Sequence, residues 1–400
     1  MAPSEVGGNT TMTPSVRNMV MEAFTGNLEE ERQISKKSSD PAVQLEFAKK
    51  LILTAESESS DPDPRKNKKM QEALYQEALK IIKKLATNTG KPGYPEAQFF
   101  LAECYGSGAL GLRIDYEQAF KLYEKAAKQT HPAATYRSAV CYEVGAGTSR
   151  SSNRAMQYYR KAAVLQDTAA MYKLGKILIE GLLGQERNAR EGVSWLNRAA
   201  RQADESTPHA LHELGLLYEG KGGEAVGNAI IPDPSYAYDL FSKAAQLGYA
   251  PSEYKLGLCY EYGLLNLPID ARRSIAWYTR AAEKGDPEAE LALSGWYLTG
   301  AEGILKQSDQ EAYLWARKAA DKGLAKAEYA VGYYSENGVG VRPDLEEARR
   351  WYLRASGQGN KKAITRLREM RGEAIGGSGE GRRGDWRRDG KPKDGECLIQ

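Results

Sequence analysis

Histidine is nearly absent from this 400-residue chain, with three copies (His131, His209, His212), and cysteine occurs only four times. So little imidazole and thiol leaves no Cys/His set at zinc-binding spacing and no paired base for a nucleophile. His209 and His212 stand at i and i+3, but no Cys or Asp follows at a spacing that would complete a metal site. Nucleophile elbows and phosphate-cradling loops are missing too: the one glycine-rich run, GKGGEAVG at 220–227, lacks a Lys-Ser/Thr ending. The sequence therefore assigns no catalytic residue and no metal ligand, and calls for no cofactor. Excess charge is lacking as well, with 56 Lys+Arg against 53 Asp+Glu, so no global basic field points to a nucleic-acid partner. The first 30 residues hold no continuous apolar run of signal-peptide length, and no stretch approaches the roughly 18–20 apolar residues of a bilayer-crossing helix. A cytosolic product without a transmembrane helix is expected.

What the chain does contain is repetition. The small pair Ala126-Ala127 recurs as Ala162-Ala163, Ala199-Ala200, Ala244-Ala245, Ala281-Ala282, Ala319-Ala320 and Ala355-Ser356, at intervals of 36, 37, 45, 37, 38 and 36. A second small residue precedes each pair: Ala102, Ala139, Gly175, Gly215, Gly257, Ser294, Gly332. Segments such as PEAQFFLAECY (95–105) place Ala, Leu and Tyr on one helical face and predict a helix A. Segments such as RSIAWYTRAA (273–282) predict a helix B with a bulky aromatic just before the small pair. Proline at 95, 132, 208, 251 and 287 suits a first helical turn, and Gly248, Gly285, Gly323 and Gly359 suit left-handed caps after helix B. Cys104, Cys141 and Cys259 each precede a Tyr at one point of the repeat and read as small buried positions rather than disulfide partners. The 45-residue interval reflects a glycine-rich insertion at 221–231.

These markers, A-x-x-x-L-G-x-x-Y followed by W-Y/L-x-x-A-A at a period of about 36, resemble Sel1-like repeats. The resemblance implies an all-α fold, an α-solenoid of helical hairpins related to tetratricopeptide repeats. Leu178 and Ser335 in place of Tyr, and Gly192 and Ser274 in place of the opening Ala of helix B, depart from the pattern and would weaken single copies. The expected organisation is a disordered segment at 1–39, a leading hairpin or cap at 40–94, seven repeats at 95–360, a capping helix at 361–371, and a flexible basic tail at 372–400.

The chain ends Cys397-Leu398-Ile399-Gln400, a C-a-a-X form whose final Gln points to a farnesyl group on Cys397 attached by protein farnesyltransferase. One such chain binds membrane lipid only marginally, so a second contact is needed. The tail offers little: six basic and two acidic residues lie between Arg382 and Lys393, but the excess over 371–396 is +1. In the repeats, the position two before the central Leu of helix A reads Phe99, Tyr136, Tyr172, His212, Tyr254, Leu291 and Tyr329, a candidate aromatic row for a partner segment on the concave face, or rings packed between helices. Glu96, Glu103, Glu143, Glu219, Glu261 and Glu336 lie toward the same side and would favour a basic partner, or form a solvated surface.

Repeats of this kind, led by DPAVQLEFAKKLILTAE (40–56) and followed by a basic-flanked C-a-a-X box, look like the fungal chitin synthase regulatory proteins. That resemblance implies a non-catalytic activator of an integral-membrane chitin synthase, lipid-anchored at the cytoplasmic face of the plasma membrane at septa and sites of wall growth. The other reading is a general membrane-tethered adaptor for a ubiquitin-ligase or signalling complex.

Overall fold

The protein is described by a computed structural model over residues 28–57, 64–87, 92–221 and 227–372. It forms two compact units, Met1–Gln202 and Ala203–Gln400. The first unit contains α1 (Leu28–Lys37), α2 (Pro41–Ser57), α3 (Pro64–Ala86), α4 (Pro95–Ser107), α5 (Tyr116–Lys128), α6 (Pro132–Val144), α7 (Ser152–Val164), α8 (Thr168–Glu180) and α9 (Ala189–Arg201). The second contains α10 (His209–Tyr218), α11 (Pro234–Gln246), α12 (Ala250–Tyr262), α13 (Ala271–Glu283), α14 (Pro287–Thr299), α15 (Asp309–Asp321), α16 (Ala325–Asn337), α17 (Leu345–Gly357) and α18 (Lys361–Met370). Among the described residues the architecture is all-helical, with one isolated bridge between Ala301 and Leu305. From α4 to α17 the helices alternate A, B as seven hairpins, three in the first unit and four in the second, and within each unit successive hairpins stack as a solenoid.

The chain marks each helix B start with a polar cap. Asp115, Ser151, Asn188, Asp233, Asp270, Ser308 and Asp344 each accept a backbone N–H from the first turn, which satisfies a donor the helix cannot. The third, fourth, fifth and seventh hairpins close because a glycine of helix A meets a large residue of helix B. A Cβ on Gly257 would lie 2.5 Å from the Tyr278 ring, and one on Gly332 would lie 2.7 Å from Tyr352. Any larger residue would push the helices apart, so the glycine sets the interhelical distance. Gly192 belongs to the same logic: its Cβ would meet Ile179 at 2.6 Å and the Gly175 carbonyl at 2.7 Å. This departure from the repeat pattern is therefore a packing requirement of α8 on α9, contrary to the expectation that it weakens the third hairpin. Ser274 is fully buried.

Within the stretch expected to be disordered at 1–39, Leu28–Lys37 form a helix. In α1 acidic residues fill the first turn and lysines the last, complementing the helix dipole. Arg32 donates both Nε and Nη2 to the Glu77 carboxylate on α3 at 3.0 Å, and Lys50 on α2 reaches Glu31 at 2.5 Å. Only Ser35 of α1 is buried, so these ion pairs, spread over residues far apart in sequence, are what dock it. Sequence periodicity cannot report such pairing. Helices α2 and α3 bury Leu45, Phe47, Leu51 and Ile52 against Leu74, Tyr75, Leu79 and Ile82. At the other end Ala363 and Leu367 of α18 cover Ala348, Tyr352 and Ala355 of the last hairpin. Residues 222–226 of the insertion lie outside the described residues, as does the tail from 373 with Cys397, Leu398, Ile399 and Gln400.

Candidate functional site

The aromatic row of the A helices occupies the seams between successive hairpins. In the first unit, Phe99 lies 4.8 Å, centroid to centroid, from His131 at the start of the next A helix and 6.0 Å from Tyr123 of its own B helix. Tyr136 meets Tyr159 at 5.9 Å. In the second unit, His212 faces Phe241 at 5.3 Å and Tyr249 at 5.4 Å, Tyr254 faces Tyr278 at 5.7 Å, and Tyr329 faces Tyr352 at 5.6 Å. Tyr254 also packs against the buried cluster formed by Tyr278, Ala281 and Ala282 of its own hairpin with Ala289 and Leu293 of the following A helix. All six candidates, Phe99, Tyr136, Tyr172, His212, Tyr254 and Tyr329, are half-buried, whereas the equivalent Leu291 is buried. Each ring is thus partly covered and partly open to solvent. The arrangement can offer amphipathic edges at repeat spacing, but the six do not converge on one pocket. Burial raises the hydroxyl pKa of Tyr136 and Tyr329 and lowers the imidazole pKa of His212 to about 4, so His212 is neutral at physiological pH. Its Nδ1 sits 2.8 Å from the Ser252 hydroxyl, a structural contact.

The glutamates noted in the sequence are used internally; the most exposed of them, Glu96, is hydrogen-bonded with Tyr94. The Tyr123 hydroxyl donates to Glu103 at 2.6 Å, Tyr278 to Glu261 at 2.5 Å and Tyr352 to Glu336 at 2.8 Å, and Tyr159 donates to Glu143. The next A helix, or the cap, supplies a cation to most of them. Arg137 pairs with Glu103 at 2.8 Å, Lys173 with Glu143 at 3.0 Å, Lys255 with Glu219 at 2.6 Å, and Arg366 Nε with Glu336 at 3.0 Å. A carboxylate so engaged is a joint within and between hairpins, which removes the expectation of an acidic lining for a basic partner. A second series sits at the A-helix start. Glu253, Glu290 and Glu328, all buried, take Arg280 and Lys284, Lys322, and Arg354 from their own B helices. Lys284 and Lys322 also donate to the carbonyls of Gly248 and Gly285, which end the preceding B helices. Neither network was legible beforehand, although the constant offset of the acid from the repeat's small residue (Gly215 to Glu219, Gly257 to Glu261, Gly332 to Glu336) was a usable signal.

Cys104, Cys141 and Cys259 are free and buried, with burial pushing their thiols up to about 12, 11 and 11. They are small core residues, as the repeat register implies, and poor nucleophiles. Among the described residues no group of three or more His, Cys, Asp or Glu converges as a metal site, and no helix is long and apolar enough to cross a membrane.

The Sel1 repeat profile matches residues 95–131, 132–166, 168–204, 208–249, 250–286, 287–324 and 325–360, one match per hairpin. The chain belongs to the Sel1-repeat family. A solved Sel1 repeat protein from Oxalobacter formigenes superposes with a TM-score of 0.55 at 23% identity, covering 92% of this chain and 97% of its own. That likeness supports the Sel1-repeat solenoid and nothing beyond the fold. Two curated relatives extend the similarity to the leading hairpin. "Chitin synthase regulatory factor 3" of Schizosaccharomyces pombe is 41% identical over 349 residues, 86% of this chain and 37% of the relative. "Chitin synthase regulator SKT5" of Saccharomyces cerevisiae is 37% identical over 376 residues, 91% of this chain and 51% of the relative. The chain therefore spans between about a third and a half of the length of these two relatives.

Proposed function

We propose that this Sel1-repeat chain is a non-catalytic activator and recruitment factor for a membrane-embedded chitin synthase, promoting chitin deposition in septum and cell wall. One observation carries the reading: 41% and 37% identity to two proteins named as chitin synthase regulators runs through the leading hairpin and repeats rather than through one hairpin. A stack of hairpins sealed by its own ion pairs suits this role, because it holds a fixed surface to which a client can dock without a reactive centre. The half-exposed edges of Phe99, Tyr136, Tyr172, His212, Tyr254 and Tyr329 are the proposed contacts, since rigid amphipathic rings concentrate binding energy at little entropic cost. The proposal places the protein at the cytoplasmic face of the plasma membrane, with a farnesyl group on Cys397 in the Cys-Leu-Ile-Gln sequence. Lipid and synthase together would raise the effective concentration of each contact.

The test is deletion in the fungal host combined with affinity purification of the tagged protein. Reduced wall chitin and co-purification of a chitin synthase are expected; unchanged chitin with no synthase recovered rejects the role. Cys397→Ser is expected to move the protein from membrane to soluble fractions without altering its melting, and an unchanged distribution rejects the lipid anchor.

A further inference from the structure

The 23-residue helix α3 carries seven basic residues, Arg65, Lys66, Lys68, Lys69, Lys80, Lys83 and Lys84, against two acids. One of the acids, Glu77, is engaged by Arg32 of α1, leaving Glu72. The buried face of α3 is the apolar stripe of Leu74, Tyr75, Ala78, Leu79, Ile82 and Leu85 that packs within the leading hairpin. All six lysines are exposed, and none has an ion-pair partner among the described residues. Six other lysines of the unit, Lys49, Lys50, Lys121, Lys128, Lys173 and Lys176, each meet a carboxylate, while the exposed Lys36, Lys37 and Lys125 are scattered over α1 and α5 and build no comparable row. At about 100° per residue, Lys66, Lys69, Lys80, Lys83 and Lys84 fall within an arc of about 100°, and a helix of this length runs for about 34 Å.

We infer that this face of α3 binds an anionic bilayer surface and is the electrostatic second contact that a single farnesyl chain requires; the inference rests on the membrane reading above. A convex, straight row of point charges fits a flat field of diffuse negative charge, to which each lysine near the surface adds about 1 kcal/mol. Nucleic acid is the weaker fit. The row is of lysine rather than guanidinium forks, and its only aromatic, Tyr75, is buried, so it offers no stacking platform for bases. Exposed Met70 adds an apolar side chain, 54% accessible, on the same helix. An interfacial helix commonly places such a residue at the headgroup boundary.

The test uses the full chain made in bacteria, which attach no prenyl group, and sedimentation with phosphatidylcholine vesicles with or without about one third phosphatidylserine. Binding to the anionic vesicles at about 0.1 M salt, lost at about 0.5 M, is expected. Lys69→Gln/Lys80→Gln/Lys83→Gln should lower the partition coefficient about tenfold or more. The same number of changes on α5, Lys121→Gln/Lys125→Gln/Lys128→Gln, should leave it within about twofold. Equal binding to neutral vesicles, equal loss in both triple variants, or displacement from anionic vesicles by duplex RNA at matched phosphate concentration would each overturn the assignment. Because neither the synthase nor the prenyl group is present, failure here alongside Cys397→Ser release in cells sinks this inference alone.

Discussion

The fifth and seventh hairpins carry the same tyrosine–glutamate pair, yet their carboxyls shift in opposite directions. In the fifth, burial raises the pKa of Glu261 and the hydrogen bond from Tyr278 only partly offsets it. In the seventh, burial also opposes charge on Glu336, but hydrogen bonds from Arg366 and Tyr352 outweigh it and hold the carboxyl below its ordinary range. The difference lies in the neighbour, not in the pair. The position two before the small residue of the following A helix holds Lys173 and Lys255 elsewhere, while after the fifth hairpin it holds Ala292. A desolvated carboxylate needs an opposite charge to stay ionised cheaply.

The third and sixth hairpins solve the same packing problem without a tyrosine–glutamate pair. The third is apolar throughout, with Leu196 where others have tyrosine and Ile179 where others have glutamate, closed by the Gly175–Gly192 approach. The sixth swaps sizes: its B helix offers Ala316, and the space is filled from the next A helix by Tyr334, whose hydroxyl lies 3.0 Å from that of Ser294. Total volume is kept while its donor changes, which cores tolerate well.

The largest expected effect comes from removing a wedge. Tyr278→Ala should cost about 3–5 kcal/mol, measured by denaturant unfolding of the full chain; a cost below about 1 kcal/mol would mean the ring does not hold the fifth hairpin closed. Next, Ala316→Tyr alone should cost about 1–3 kcal/mol by clashing with Tyr334. Combining it with Tyr334→Ala should recover much of that loss, and a double-mutant cycle that is merely additive would refute the size exchange.

The smallest change tests ionisation. Because the folded-state pKa of Glu261 is raised, its contribution is fully present below the unfolded pKa and lost as pH rises through the folded value. For Glu336, lowered in the folded state, the contribution is present above the unfolded pKa and lost as pH falls through the folded value. Ala292→Lys should convert the first case into the second, lowering the Glu261 pKa and adding about 1 kcal/mol near neutral pH. Carboxyl NMR titration reads this directly, and an unmoved Glu261 would show that the cation's absence is not the cause.

Much of this was legible in one dimension. The frame of Ala126-Ala127, Ala162-Ala163 and their successors located the seven repeat hairpins, because helical period and close packing both constrain residues within about 40 positions of each other. The cysteines fell where their register put them, and the left-handed glycines after helix B do adopt positive φ, at +83° for Gly248 and +85° for Gly285. The aromatic row could be picked out by position, but the sequence left open whether its rings line a groove or pack between helices, since both select for rings; in the fold they are half-buried.

The sequence alone determined the repeat, its boundaries and the all-helical fold, for these follow from local propensity, capping and periodic apolar residues. Only the tertiary structure decided what the charges do. It spent Glu103, Glu143, Glu219 and Glu336 on neighbouring hairpins, docked α1 through Arg32 and Glu77, and left the lysines of α3 unmatched. The physical reason is that an ion pair is set by distance in space and by burial, and neither quantity has a period along the chain.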